Sequence, residues 1–305
     1  MYYKYMDEIS IINTITKIAG NEYIGDDCAF LPELGVVISQ DSLVEDIHFK
    51  RKWCTPFQLG YKSAVVNISD ILASGAVPKF ITVALSLPET LPSEFVEQFY
   101  KGLSLALNDV KIIGGDITGS PERIVISITA IGVTNGRNIS SRKYAKPGYL
   151  IITKGNFGSS AAGLKELQTN GSDSSLIKSH LEPDLDYNLS EKISTLVKEP
   201  YAMMDTSDGL ADALFKIAEA SNVSVISDYN TIPHLDSVNK NDVLFGGEDY
   251  NLVAAVPEKY IKFLENVSVI GKVTEYKGVR LNISGEKFNS YKELNVFNHF
   301  GGNNE

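Results

Sequence analysis

The chain of 305 residues is poor in the residues that build several common kinds of site. It has two cysteines, four histidines, one tryptophan and no basic excess, with a formal net charge of −10. Cys28 and Cys54 form no C-x-x-C pair, and two thiols make a poor disulfide framework at this length. Both are expected to be reduced and structural. No stretch approaches the roughly 20 apolar residues that span a bilayer. The opening segment, 1–8, lacks the apolar centre of a secretory leader, so a cytoplasmic location is expected. The acidic balance disfavours nucleic acid and anionic membranes, which are gripped by clustered Lys and Arg. His180, His234 and His299 lie scattered among polar residues without zinc-like spacing, and a solvated surface role is expected for all three. No G-x-S-x-G elbow is present and neither cysteine has a base beside it, which leaves covalent catalysis little support. There is no Walker A sequence, no Rossmann G-x-G-x-x-G and no repeat of 20–50 residues. Familiar nucleotide folds, solenoids and propellers are thereby disfavoured.

What remains is an ordinary globular composition, 43% hydrophobic and 22% charged, in a chain long enough for two domains. Residues 36–39 read as a short strand that delivers Gln40 and Asp41 to its end, with His48 in the polar loop beyond. From Pro56 to Ala73 runs a helix apolar nearly all round, which puts Asp70 inside. A strand follows at 80–87. Phe95, Phe99, Leu103, Ala106 and Val110 then mark one face of an amphipathic helix. A short strand at 111–113 ends in Gly114-Gly115-Asp116, and a further strand covers 124–133. Turn residues between 134 and 147 suit a linker, with the domain boundary near 143. In the second half, the strand 149–153 leads through 155–160 into a helix whose first N–H groups can hold an anion. The strand 202–204 ends at Asp205, with Ser207 as the expected N-cap of the next helix. Gly246-Gly247-Glu248-Asp249 then precedes a strand at 250–256. An α+β or α/β class follows.

Aspartates recur at the ends of these elements: Asp26-Asp27, Asp41, Asp70, Asp116, and the pair Asp205 and Asp208. Aspartate is common in turns for backbone reasons alone, so any single one has a bland explanation. Asp70 is different, because a carboxylate on a nearly all-apolar helix is costly to bury unless a cation or several donors satisfy it. Magnesium takes hard oxygen ligands from one or two carboxylates plus phosphate and water, so several aspartates can hold two or three ions around a nucleotide. Gly114-Gly115 lets backbone amides approach a phosphate closely.

Taken together, Gly25-Asp26-Asp27-Cys28-Ala29, Ser39-Gln40-Asp41, His48-Phe49, Asn67-Ile68-Ser69-Asp70 continuing to Pro78, Gly114-Gly115-Asp116, Asp205-Thr206-Ser207-Asp208-Gly209-Leu210 and Gly246-Gly247-Glu248-Asp249-Tyr250 resemble the thiamine-monophosphate kinase family, within the aminoimidazole-ribonucleotide-synthetase-like superfamily. The resemblance runs over nearly the whole chain and keeps the family's motif order. It implies an α+β fold of two domains, 1–143 binding metal and ATP and 144–305 completing the site. It also implies a homodimer whose N-terminal sheets join as a barrel, and transfer of the ATP γ-phosphate to thiamine monophosphate. By motif match, Asp27, Asp41, Asp70, Asp116, Asp205 and Asp208 would hold Mg²⁺, with Ser39 and Gln40 in the shell around Asp41. Tyr100, Gly115, Arg142 and Ser207 would touch ATP, and His48, Glu248 and Phe297 the thiamine substrate. Gln40 stands where the family more often has Ser or Thr, and Phe297 where it has Trp or Tyr. The rival readings are a sister enzyme of the superfamily and a non-catalytic Mg–nucleotide-binding module.

Overall fold

A computed structural model describes residues 8–20 and 22–297. His299 lies outside the described residues. The first half comprises α1 (Glu8–Ala19), β1 (Ala29–Leu31), β2 (Val36–Val44), α2 (Pro56–Ala73), β3 (Val77–Pro88), α3 (Glu94–Leu107), β4 (Lys111–Ser120) and β5 (Val125–Val133). Its five strands form one sheet in the order β1-β2-β5-β3-β4, antiparallel except for the β3–β4 pair. The second half comprises β6 (Tyr149–Thr153), α4 (Ser159–Thr169), α5 (Ser174–Leu181), α6 (Tyr187–Leu196), β7 (Ala202–Met204), α7 (Leu210–Ala220), β8 (Val223–Ser227), α8 (Lys240–Phe245), β9 (Val253–Pro257), β10 (Ser268–Glu275), β11 (Leu281–Ile283) and β12 (Glu286–Phe288). Seven of these form a second sheet, β12-β11-β8-β10-β6-β9-β7.

The two-residue period of a strand explains how the halves join. Along β9, Val253 and Ala255 belong to the core beneath α7, whereas Ala254 and Val256 belong to the core around α2. Met203 of β7 and Ile152 of β6 likewise turn toward α2, while Met204 and Ile151 turn away. The β6-β9-β7 part of the second sheet is therefore buried on both faces, which is why these strands read as continuous apolar runs. One of its faces shares a hydrophobic core with the first half, so α2 is enclosed by both.

The start of α2 follows from its sequence. Pro56 occupies the first turn, Thr55 Oγ1 accepts from the Gln58 N–H at 3.2 Å, and Gln58 Oε1 accepts from the Thr55 N–H at 3.1 Å, completing a capping box. Beside it, α3 approaches so closely that a Cβ on Gly60 would lie 1.9 Å from the Phe99 carbonyl oxygen, and one on Gly102 would lie 1.8 Å from that of Phe57.

Four local expectations are corrected. β4 runs on through Gly114-Gly115-Asp116 to Ser120, so Asp116 is an exposed mid-strand residue opposite Ala84 rather than a strand end. β2 likewise continues past Asp41 to Val44, held along its length by β5. The helix after Asp205 begins at Leu210 with Gly209 as its cap, so Ser207 is not the N-cap. The last β strand of the Gly-Gly-Glu-Asp segment starts only at Val253 because Glu248 and Tyr250 adopt positive φ, 66° and 53°. Among the described residues no helix is long and apolar enough to cross a membrane.

Gly102→Ala should destabilise the protein by about 1–3 kcal/mol, since two helix backbones must separate to admit the methyl group. A lower urea midpoint with an unchanged slope checks this. An unaltered midpoint would show that the α2–α3 approach is soft.

Candidate active site at the junction of the two halves

α2 presents polar groups in two directions. Asn67 and Asp70, one turn apart, face β2: the Asn67 Oδ1 accepts from the Asp41 N–H at 3.2 Å, and its Nδ2 donates to the Ser63 carbonyl at 2.9 Å. This brings the Asp41 carboxyl into hydrogen bonding with that of Asp70. Gln58, Lys62 and Ser69 form a second stripe, facing the other half of the chain. Gln58 Nε2 donates to Glu182 at 3.0 Å, Lys62 Nζ pairs with Glu248 at 3.0 Å, and Ser69 Oγ donates to Asp205 Oδ2 at 2.6 Å.

As a result, carboxylate oxygens of Asp27, Asp70 and Asp205 all lie within 4.8 Å of one another, close enough to share a metal ion. The protonation of these groups records their crowding. Burial and then the neighbouring Asp41, Asp205 and Asp27 push the Asp70 carboxyl well above the ordinary range. Asp205 is pushed up to about 7, by burial first and Asp27 next. Asp41 is raised by burial, with Asp208 and Asp27 adding to it. The donor set is all hard oxygen with excess negative charge, and Ser39 Oγ on β2 is buried without a hydrogen bond. These residues fit divalent cations of the magnesium type.

Other expected residues are placed as follows. Asp26 is a structural tie, accepting from Ser141 Oγ at 2.8 Å and from the Arg142 N–H at 2.7 Å. Arg142 Nη2 donates to Asp27 at 2.9 Å, and its buried Nε lacks a partner. Ser207 Oγ donates to Asp205 Oδ1 at 3.1 Å, and its carbonyl accepts from the Glu248 N–H at 2.7 Å, which joins the two glycine-flanked loops. The Val44 N–H donates to His48 Nδ1 at 2.9 Å, putting the proton of the neutral ring on Nε2.

Not every expected residue converges. Gln40 lies on the opposite face of β2 from Ser39 and Asp41, its amide engaged with Ser127 and Thr129 of β5. Asp116 is exposed and does not belong to the carboxylate trio. Gly115 lacks a side chain for a reason in the sheet, because a Cβ there would meet the Val83 carbonyl oxygen at 1.9 Å. Tyr100 stands edge-on to Phe99 with ring centroids 5.6 Å apart, and Phe297 is exposed. The start of α4 is already occupied by a carboxyl group of the chain itself: Asp249 accepts from the Gly158 N–H at 2.6 Å and the Ser160 N–H at 2.9 Å.

Sequence reasoning missed several members. His180 is buried, not solvated: its Nε2 lies 3.3 Å from Lys62 Nζ and its Nδ1 3.1 Å from Ser160 Oγ. Lys216 pairs with Asp208 at 3.0 Å and with Asp212 at 2.8 Å, and Tyr291 donates to Asp212 at 2.7 Å. Lys62 carried a usable signal, since the cost argument that singled out Asp70 on an apolar helix applies equally to a lysine two turns earlier.

Residues 25–134 match the family described as AIR synthase related protein, N-terminal domain, and 146–284 match the corresponding C-terminal domain, which defines a two-domain α+β protein of the AIR-synthase-related class. The thiamine-monophosphate kinase of Bacillus subtilis is 32% identical over 97% of this chain and 100% of its own length. That of Aquifex aeolicus is 33% identical over 92% and 95%. Among solved structures, "AaThiL complexed with AMPPCP and TMP" superposes with a TM-score of 0.88 at 30% identity over 98% of this chain and 99% of that one. The chain belongs to the thiamine-monophosphate kinase family and is, with it, a phosphotransferase.

Asp205 generates a pH test. Its ordinary value is 3.8 and its folded value about 7, so between them the folded protein keeps a proton that the unfolded chain has lost. Stability then falls as pH rises through that window. In metal-free buffer, wild type should lose about 2–4 kcal/mol relative to Asp205→Asn between roughly pH 4 and pH 7.5. His180, held down at about 4 by burial and Lys62, pulls the other way but cancels in the comparison. Parallel urea-midpoint profiles for the two proteins would refute the assignment.

Proposed function

We propose that the protein transfers the γ-phosphate of ATP to thiamine monophosphate, giving thiamine diphosphate and ADP by direct in-line, Mg²⁺-assisted transfer. The observation that carries this reading is the meeting of Asp27, Asp70 and Asp205 at the junction of two halves of the chain, with Asp41 hydrogen-bonded to Asp70. Magnesium bound there supplies positive charge between carboxylates and the donor and acceptor phosphates. In this reading Asp27, Asp41, Asp70, Asp116, Asp205 and Asp208 are the metal-binding carboxylates, with Ser39 and Gln40 nearby. Arg142, Ser207, Gly115 and Tyr100 serve ATP. His48, Glu248 and Phe297 serve the thiamine moiety.

The acceptor is a phosphate monoester whose second pKa is about 6, so its attacking oxygen is already ionised near neutrality. No strong general base is required, and the protein's task is to align two phosphates and offset their repulsion. Arg142, with a buried Nε that lacks a partner, offers a donor toward phosphate oxygen. Glu248 supplies negative charge for the thiazolium. The relatives named for this activity and the solved complex with an ATP analogue and TMP support the substrate assignment.

We propose further that residues 1–143 form the metal- and ATP-binding unit and 144–305 the unit that completes the site. A homodimer in which the first sheets pair into a barrel is supported by edge strand β4, exposed along nearly its whole length and carrying exposed Ile112, Ile113 and Ile117. Free Cys28 and Cys54 suit a reducing, cytoplasmic setting.

Incubation with Mg–ATP and thiamine monophosphate should yield thiamine diphosphate, detected by chromatography; no product above background would overturn the proposal. Asp70→Asn should lower kcat by on the order of 10³-fold while folding normally, since it removes about 4 kcal/mol of charge stabilisation without changing volume. In single-turnover experiments with γ-labelled ATP, label should pass to product with none retained on protein.

A further inference from the structure

Glu248 is held in an unusual way. Its backbone sits at φ 66°, a conformation that an L residue keeps only when its surroundings impose it, and its N–H donates to the Ser207 carbonyl at 2.7 Å. Its carboxylate meets two groups from different parts of the chain. Lys62 Nζ on α2 lies 3.0 Å from Oε1, and His180 Nδ1 on α5 lies 3.5 Å from Oε2. The three differ in accessibility. The Glu248 side chain is 28% exposed, whereas Lys62 is 4% and His180 6% exposed. Glu248 is thus the most accessible of the three, while Lys62 and His180 reach only the wall of a small pocket that His48 also lines.

The proton arrangement follows from donor and acceptor counts. An ammonium group only donates, so His180 Nε2, 3.3 Å from Lys62 Nζ, must accept. The neutral ring then carries its proton on Nδ1, where Ser160 Oγ and Glu248 Oε2 lie. Both carboxylate oxygens of Glu248 therefore face a donor from behind. Burial alone would raise the Glu248 carboxyl, yet Lys62 and His180 hold it below the ordinary range. Lys62 also lies seven residues before Ser69 on the same stripe of α2, about 10 Å along the helix axis. One rigid element thus sets the spacing between Glu248 and Asp205, the carboxylate that Ser69 holds.

We infer that Lys62 and His180 are positioning residues for the cationic ring of the substrate: together they fix the Glu248 carboxylate, through α2, at a set distance from the carboxylate cluster that serves the phosphates. This rests on the reading of Glu248 as the partner of the thiazolium.

The test is steady-state kinetics on Lys62→Met, Lys62→Arg, His180→Gln, Glu248→Gln and the double variant Lys62→Met with Glu248→Gln, with thermal melts to confirm folding. Lys62→Met should raise the KM for thiamine monophosphate about 10- to 100-fold, with the KM for ATP and kcat each within about threefold of wild type. Lys62→Arg should recover most of the loss. His180→Gln, which leaves Lys62 in place, should raise the same KM about 3- to 10-fold and serves where Lys62→Met does not fold. The double variant should be no worse than Glu248→Gln alone, because Lys62 acts only through that carboxylate. Effects that multiply in the double variant, or an unchanged KM in folded Lys62→Met and His180→Gln while Glu248→Gln raises it, would overturn the inference. An unchanged KM in Glu248→Gln would instead remove the reading of Glu248 on which it stands.

Discussion

The architecture turns on the repulsion among carboxylates gathered where the two halves meet. Two ionised carboxylates about 5 Å apart repel by about 3 kcal/mol at an effective dielectric near 20, so the trio of Asp27, Asp70 and Asp205 is costly without countercharge. In the protein alone this cost favours the protonated form, raising the Asp70, Asp41 and Asp205 carboxyls above their ordinary range, and hydrogen bonds from Ser69 and Ser207 offset part of it. Such a site is tense by construction. In the proposed reading cations would offset the same repulsion and let a protein of net charge −10 hold two phosphate compounds.

α2 is the element that makes this arrangement possible. It is enclosed by the first sheet, α3 and one face of the second sheet, so its side chains cannot shift without disturbing the core that the two halves share. Asn67 and Asp70 engage β2, whereas Gln58, Lys62 and Ser69 engage the second half. A helix buried this deeply acts as a ruler between the two chemical ends of the site. The intimate contact of α2 with α3 at Gly60 and Gly102 serves that rigidity.

Much of this was legible locally. The ends of α2 coincide with the expected 56–73 because Pro56, the Thr55–Gln58 capping box and the apolar pattern all act within one segment. Asp70 stood out because a carboxylate in that pattern demands compensation. Where reading failed, a distant partner had decided the outcome. β4 continues past Gly115 because β3 lies alongside it, and α4 is anchored by Asp249, some 90 positions away. Gln40 turns from the cleft because the strand period puts alternate residues on opposite faces once β5 fixes the register.

By itself the sequence determined which chemical groups are present, the course of the strongest helices and strands, and, through motif order, the family. It could not determine which carboxylates meet, or that His180, in a polar stretch of sequence, is buried between Lys62 and Glu248. Periodicity reports the side of an element that seeks burial, not the element that will cover it. The Ser69–Asp205 bond spans 136 positions and the Lys62–His180 contact 118, and separations of that size are fixed only when the two halves of the chain close on a shared helix.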